Sequence, residues 1–253
     1  MSLAPGDYDG LAARLLALSR PGLRRAALGA FHGYPVYWFA QAGRRARRRV
    51  LLASGTHGDE PAGPLAALRF LEREPTALVE AFDFWVLPCL NPWGYVHGTR
   101  ANGDGVDINR SFEDASTPEA AAVRRLLRGE RFDLLFEFHE DWEFEGYYLY
   151  EVRRGGALVG PRIVERVAAL GPIHPGPAVD GYPALGGVIH PTPEVLERQQ
   201  IGQKALPLYV YHSCADHVVT SETPSTWPLE LRQQAQLAAL EAALEWELSA
   251  AAF

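Results

Sequence analysis

Two side chains that bind divalent metals well stand three residues apart in Ser54-Gly55-Thr56-His57-Gly58-Asp59-Glu60. In a turn leading into a helix, that spacing brings an imidazole and a carboxylate to one side, as two ligands of one ion require. Gly55 and Gly58 let the backbone bend closely around the same point. His-x-x-Glu alone arises by chance in many chains, so its weight depends on a third ligand. A catalytic zinc takes three protein ligands and keeps one position open for water. His139 meets that need, directly after the apolar run Leu134-Leu135-Phe136-Glu137-Phe138.

These residues must be positioned by strand ends. Val50-Leu51-Leu52-Ala53 reads as a buried strand that empties into the His57 loop, and residues 61–72 carry a helical pattern. Residues 82–87 repeat the strand signal, and 134–138 do so again just before His139. Thr117-Pro118-Glu119 has the form of a helix N-cap. In open α/β sheets, ligands bind in loops at the carboxyl ends of strands. The alternation predicts an α/β fold: a mixed, largely parallel twisted sheet with helices on both faces. Further expected elements are a helix over 8–18, a hairpin of 26–31 with 36–40, a strand over 147–152 and a helix over 162–170. Strands over 208–211 and 217–220 and a closing helix over 229–248 complete the reading. Residues 91–110 and 171–187 read as loops.

At 253 residues with 47% apolar content, the chain can fill one core, and a single domain over 1–253 is expected. The net charge of −7 disfavours nucleic acid and anionic membrane surfaces as partners. Arg44-Arg45-Ala46-Arg47-Arg48-Arg49 lacks interleaved aromatics and reads as a solvated turn between strands. No run approaches the roughly 20 apolar residues of a membrane span, and the start lacks an export signal, so a cytoplasmic setting is expected. Cys89 and Cys214 are too few for a disulfide framework, and spacing leaves their pairing open. The oligomeric state is equally open.

In their order along the chain, the motifs resemble the zinc carboxypeptidase family. The matching residues are His57-Gly58-Asp59-Glu60, then Asn91-Pro92-Trp93-Gly94, then Arg100-Ala101-Asn102-Gly103-Asp104-Gly105-Val106-Asp107-Ile108-Asn109-Arg110, then His139, then Glu222. The resemblance spans about residues 50 to 224. It implies one Zn2+ held by His57, Glu60 and His139, with Glu222 as general base for the attacking water. It assigns Arg100 to the oxyanion of the tetrahedral intermediate and Asn109 with Arg110 to a substrate carboxylate. Asp107 stands near that pair as an orienting group. His97, three residues before Arg100, is the nearest alternative ligand.

Tyr182 and Ile189, in Gly181-Tyr182-Pro183-Ala184-Leu185-Gly186-Gly187-Val188-Ile189, resemble the family's substrate-covering tyrosine and a residue of its specificity pocket. Ile189 there implies an apolar or aromatic end residue. The acidic cluster Glu137, Glu140, Asp141, Glu143 and Glu145 implies a basic one if its carboxylates face the cleft. Trp93 and Ser111 replace residues usual in the family, and the interval to Glu222 is long, with an insertion over 194–204. The activity implied is removal of a C-terminal residue from peptides, with cell-wall peptides among the possible substrates. N-acyl amino acid deacylases of the succinylglutamate desuccinylase and aspartoacylase type share part of the pattern, and an acyl amino acid is the alternative substrate. A binding module that keeps the fold without the chemistry is the reading from another class.

Overall fold

The computed structural model describes residues 3–192, 195, 198 and 203–249. Its strands are β1 (Leu23–Phe31), β2 (Tyr34–Gln41), β3 (Arg48–Ser54), β4 (Phe82–Leu87) and β5 (Leu134–Asp141), followed by β6 (Tyr148–Arg153), β7 (Ala178–Val179), β8 (Tyr182–Leu185), β9 (Val188–Ile189) and β10 (His217–Pro224). The helices are α1 (Tyr8–Ala17), α2 (Ala62–Glu72), α3 (Pro92–His97), α4 (Pro118–Leu127), α5 (Gly160–Val167), α6 (Leu206–Ser213) and α7 (Leu229–Ser249). The sheet order is β1-β2-β4-β3-β5-β10-β6-β9-β8-β7. Its centre, β4-β3-β5-β10, is parallel, while the hairpins at both flanks and the β10–β6 pair are antiparallel.

The central strands are buried on both faces, which is why Val50–Ala53 and Leu134–Phe138 are unbroken apolar runs apart from Glu137. One face packs against α1, α2, α5 and α7 through Leu11, Leu68, Ile163 and Leu240. The other packs against α4 and α6 through Val123, Leu208 and Val210. Cys89 belongs to the first of these layers and Cys214 to the second, and both are free thiols. None of the described helices is long and apolar enough to cross a membrane.

Three local expectations change. The segment expected as a strand over 208–211 is helix α6, because a short apolar run does not by itself distinguish strand from helix. Pro207 at the first turn favours the helix, and it buries Leu206, Leu208, Val210 and Tyr211. Within the 91–110 loop, α3 forms because Asn91 caps it by accepting from Gly94 N–H at 2.9 Å, with Pro92 behind the cap and Gly98 closing it in the left-handed region. The 171–187 segment holds the β7–β8 hairpin rather than loop alone. The insertion over 194–204 lies mostly outside the described residues.

A buried polar network fastens the helices to the amino end of the central strands. His217 on β10 has Nδ1 2.8 Å from Glu247 Oε1 and Nε2 2.8 Å from Glu151 Oε1. Glu151 also accepts from Val159 and Gly160 N–H, holding the start of α5, and Glu247 on α7 pairs with Arg48 and Arg153. Burial pushes the His217 imidazolium down, but the two carboxylates outweigh it and leave its pKa raised. A raised folded pKa stabilises fully below about pH 6.5, the unfolded value, and that contribution is lost as pH rises through the folded value. Replacing His217 by Asn should therefore cost about 3 kcal/mol at pH 6. The Tm gap to the wild-type chain should narrow as pH rises, which thermal melts across a pH series will show.

Candidate metal centre and cleft

His57, Glu60 and His139 converge at the carboxyl end of the parallel strands, with one ligand atom from each lying within 4.8 Å of the others. His57 and Glu60 sit in the loop between β3 and α2, and His139 is on β5, the strand beside β3. The loop is pressed against α3 so tightly that a Cβ on Gly58 would lie 1.9 Å from the Gly94 carbonyl carbon, so only glycine fits there.

Glu60 is 5% exposed and stands between two imidazoles. Its Oε1 is 2.6 Å from His57 Nδ1 and its Oε2 is 2.8 Å from His139 Nδ1. Each imidazole is backed on its other nitrogen by a carboxylate. Asp107 Oδ1 is 3.2 Å from His57 Nε2, and Glu137 Oε1 is 3.1 Å from His139 Nε2. A carboxylate behind a histidine fixes its tautomer and raises its basicity as a ligand, so the donor set fits a divalent cation such as zinc. Burial opposes the charge on Glu60, yet the two histidines hold its carboxyl far below the usual range. The same pairing raises the pKa of both imidazoles, so an ion taken up here would displace their protons as it binds.

Asp107 does more than orient the Asn109-Arg110 pair. Its Oδ1 also accepts from Asn109 N–H at 2.8 Å, and its Oδ2 accepts from Arg100 Nε at 3.0 Å. One carboxylate thus links His57, Arg100 and the turn that carries Asn109. Arg100 is half-exposed, with Nη1 3.8 Å from Glu60 Oε1. Asn91 supports it by donating from Nδ2 to the Arg100 and Ala101 carbonyls. Asn109 Oδ1 accepts from Leu206 N–H at 2.9 Å, so the side-chain amide has its two N–H donors left for other partners. Ser111 donates to the Ile108 carbonyl and bonds the Thr117 hydroxyl, tying this turn to the cap of α4.

Glu222 on β10 is the parallel-register partner of His139 on β5, so the two side chains stand side by side on neighbouring strands. Burial raises the Glu222 carboxyl well above its ordinary range; His139 opposes the shift, while Glu60 and Asp141 add to it. His97 is elsewhere, stacked on Trp93 with Nδ1 2.7 Å from the Trp93 carbonyl.

A cleft of ≈ 800 Å³ opens over this centre and includes His57, Glu60, Arg100, Asn109, Arg110, His139, Tyr182 and Glu222 in its walls. Ile189 does not line it. The side chain is fully buried on β9, packed with Tyr148 and Val179 behind the wall. Of the acidic cluster, Glu140, Asp141 and Glu143 line the cleft, and Asp141 accepts from the Tyr148 hydroxyl. Glu137 stands behind His139, and Glu140 is paired with Arg232 and with Ala62 N–H. The wall also contains Asp180, which sequence reading passed over as part of a loop. Asp180 accepts from Tyr150 hydroxyl at 2.8 Å. The Asp180-Gly181 pair has positive φ at both residues, so the signal that could have found it was a two-residue hairpin turn.

Comparison with known proteins agrees with this geometry. Residues 36–125 match a family model described as "Protein of unknown function (DUF2817)". Murein peptide amidase A of Escherichia coli K12 is 35% identical over 118 residues, which is 44% of this chain and 47% of that protein. The chain therefore matches about half the length of that relative. Carboxypeptidase SOL1 of Arabidopsis thaliana is 32% identical over 102 residues, 33% of this chain and 21% of that protein. Among solved structures, a candidate metallopeptidase from Shewanella amazonensis SB2B superposes with a TM-score of 0.80 at 26% identity, covering 94% of this chain and 92% of the other. A metallo-carboxypeptidase from Pseudomonas aeruginosa shares the fold, with a TM-score of 0.68 at 19% identity over 94% and 67% of the two chains. The chain has a carboxypeptidase-like α/β fold, shared with these metallopeptidase and metallo-carboxypeptidase structures.

The carboxylate behind His57 gives a direct test. Asp107→Asn should weaken divalent-metal affinity by about 10–100-fold, measured by competition with a chromogenic chelator, while the melting profile with saturating metal stays close to that of the parent.

Proposed function

We propose that the chain is a zinc-dependent metallocarboxypeptidase that cleaves the amide bond before a C-terminal residue. The observation that carries this reading is Glu60 between the two Nδ1 atoms of His57 and His139, with Glu222 in register beside His139. His57, Glu60 and His139 hold the ion, which when bound supplies Lewis-acid polarisation of the scissile carbonyl and acidifies water. Glu222 takes the proton from the attacking water and passes it to the departing amine. Arg100, kept in place by Asp107, offsets negative charge on the carbonyl oxygen as the tetrahedral intermediate forms. Asn109 Nδ2 and the Arg110 guanidinium receive the terminal carboxylate, and Tyr182 covers the substrate from β8.

The end residue favoured is cationic. Asp141, Glu143 and Asp180 are in the cleft wall, whereas Ile189 is behind it. Tyr150 and Tyr148 each donate a hydroxyl to one of the aspartates, which orients their oxygens and leaves other lone pairs for an ammonium or guanidinium. The likeness to murein peptide amidase A makes cell-wall peptides with an amine-bearing end residue the first substrates to try.

With zinc-loaded protein and a panel of peptides, the final amino acid should be released and release should stop on chelation. Glu222→Gln should lower turnover by about 10²–10⁴-fold while metal content is unchanged. Turnover of acyl amino acids in preference to every peptide would move the chain to the deacylases, and metal binding without turnover of any substrate would make it a binding module. Asp180→Asn should lower kcat/KM for lysine- or arginine-ended peptides by about five- to tenfold, consistent with an ion pair of roughly 1 kcal/mol. Leucine-ended peptides should be nearly unaffected, and an equal loss on both sets would remove Asp180 from the specificity wall.

A further inference from the structure

A second cavity, of ≈ 630 Å³, opens at the other end of the sheet, where β3, β5 and β10 begin and β6 ends. Five residue steps along β10 separate His217 at this cavity from Glu222 at the first, roughly 17 Å at strand rise. Arg47, Arg48 and Arg49 enter from the start of β3, Arg131 from just before β5, and Arg153 and Arg154 from the end of β6. The basic run that reads as a solvated turn in sequence is thus only half of this feature. Three segments far apart in the chain bring six guanidiniums to one concavity, in a protein whose net charge is −7.

The acidic groups around them do not match that number. Four carboxylates line the same cavity, and two of them are divided among arginines. Glu247 serves both Arg48 and Arg153, and Asp216 serves both Arg131 and Arg154. Asp83 accepts from Gly43 N–H, and Asp133 accepts from Arg49 N–H while its other oxygen stands 4.0 Å from Arg48 Nη1. Arg49 pairs with Glu130 while its guanidinium lies over the Trp85 and Phe132 rings. Arg47 is exposed, and no ion pair among the described residues reaches it. Because each guanidinium has five N–H donors, carboxylates shared in this way leave many donors unmatched.

We propose that this cavity binds a small soluble anion carrying two or more phosphate groups. Arg48 and Arg153, with side chains 19% and 16% exposed and fixed by Glu247, form its floor, while Arg131 and Arg154, at 64% and 49%, form its mouth with Arg47. From β3 to β6 there are three strand spacings, roughly 14 Å, too wide for one oxyanion to bridge and suited to charges strung along a short chain. Phosphate carries the most charge per group and accepts the planar guanidinium fork through two oxygens at once.

Equilibrium dialysis of the 253-residue, zinc-loaded chain against labelled tripolyphosphate, at physiological salt, tests the site. Saturable binding of one molecule per chain is expected, unchanged in Arg110→Gln, which alters only the catalytic cleft. The double variant Arg131→Gln/Arg154→Gln should weaken binding at least tenfold, and Arg47→Gln should weaken it severalfold. Arg47 makes no ion pair among the described residues, so its variant decides the matter if the double variant does not fold. Absence of saturable binding up to millimolar tripolyphosphate would overturn the proposal. So would loss of binding in Arg110→Gln with retention in the Arg47 variant, or citrate binding as tightly as tripolyphosphate.

Discussion

A carboxylate buried between two imidazoles sets the terms for the rest of the molecule. Placing Glu60 out of water is unfavourable unless positive charge or a cation is held beside it, and the surrounding structure is arranged to do that. His57 is brought by the loop that carries Glu60, and His139 by the adjoining strand. Each histidine is then backed by a carboxylate of its own, Asp107 or Glu137. The alternation of anion and imidazole spreads from Glu60 outward, and it accounts for the burial of Glu137 behind His139 at this end of the sheet. A Glu137 in the middle of an apolar strand would otherwise be a costly choice.

The parallel centre of the sheet makes this arrangement possible. Four strands running the same way deliver their carboxyl ends to a single edge, so the His57 loop, His139 and Glu222 emerge together though 165 residues separate the first from the last. Gly58 and Gly94 then allow two backbones to touch, which brings the Asn91 helix and the Arg100 segment against the metal loop. The opposite edge collects strand beginnings and the arginines that precede or end them. Two chemically distinct sites are a consequence of one sheet with two ends.

The apolar runs of β3 and β5 and the helical periods of α2 and α7 announced the sheet and its cover, because burial on both faces demands unbroken hydrophobic stretches. His57, Glu60 and His139, which the structure brings together, stand where such runs stop. Helix α6 could not be announced in this way, since Leu206–Tyr211 satisfies either a buried strand or a buried helix and only Pro207 hints at the outcome. Ile189 is buried on β9, since which side of a short strand faces the cleft is set by its pairing and not by the local sequence. Contacts made by Asp107 to His57 and Arg100 span 50 and 7 residues, and no local pattern encodes which partner a carboxylate chooses. Asp180 was hidden in a turn whose role depends on Tyr150 from a different strand.

The wall that carries Asp180 and Tyr182 is supplied by a short hairpin at the outer margin of the sheet, whereas His57, Glu60 and His139 arise from its middle. Evolution can therefore redraw what the cleft accepts by exchanging a dozen residues between 177 and 189, leaving the reactive centre untouched. Divergent relatives would then differ in diet long before they differed in chemistry, and a graft of that hairpin is a compact route to new selectivity.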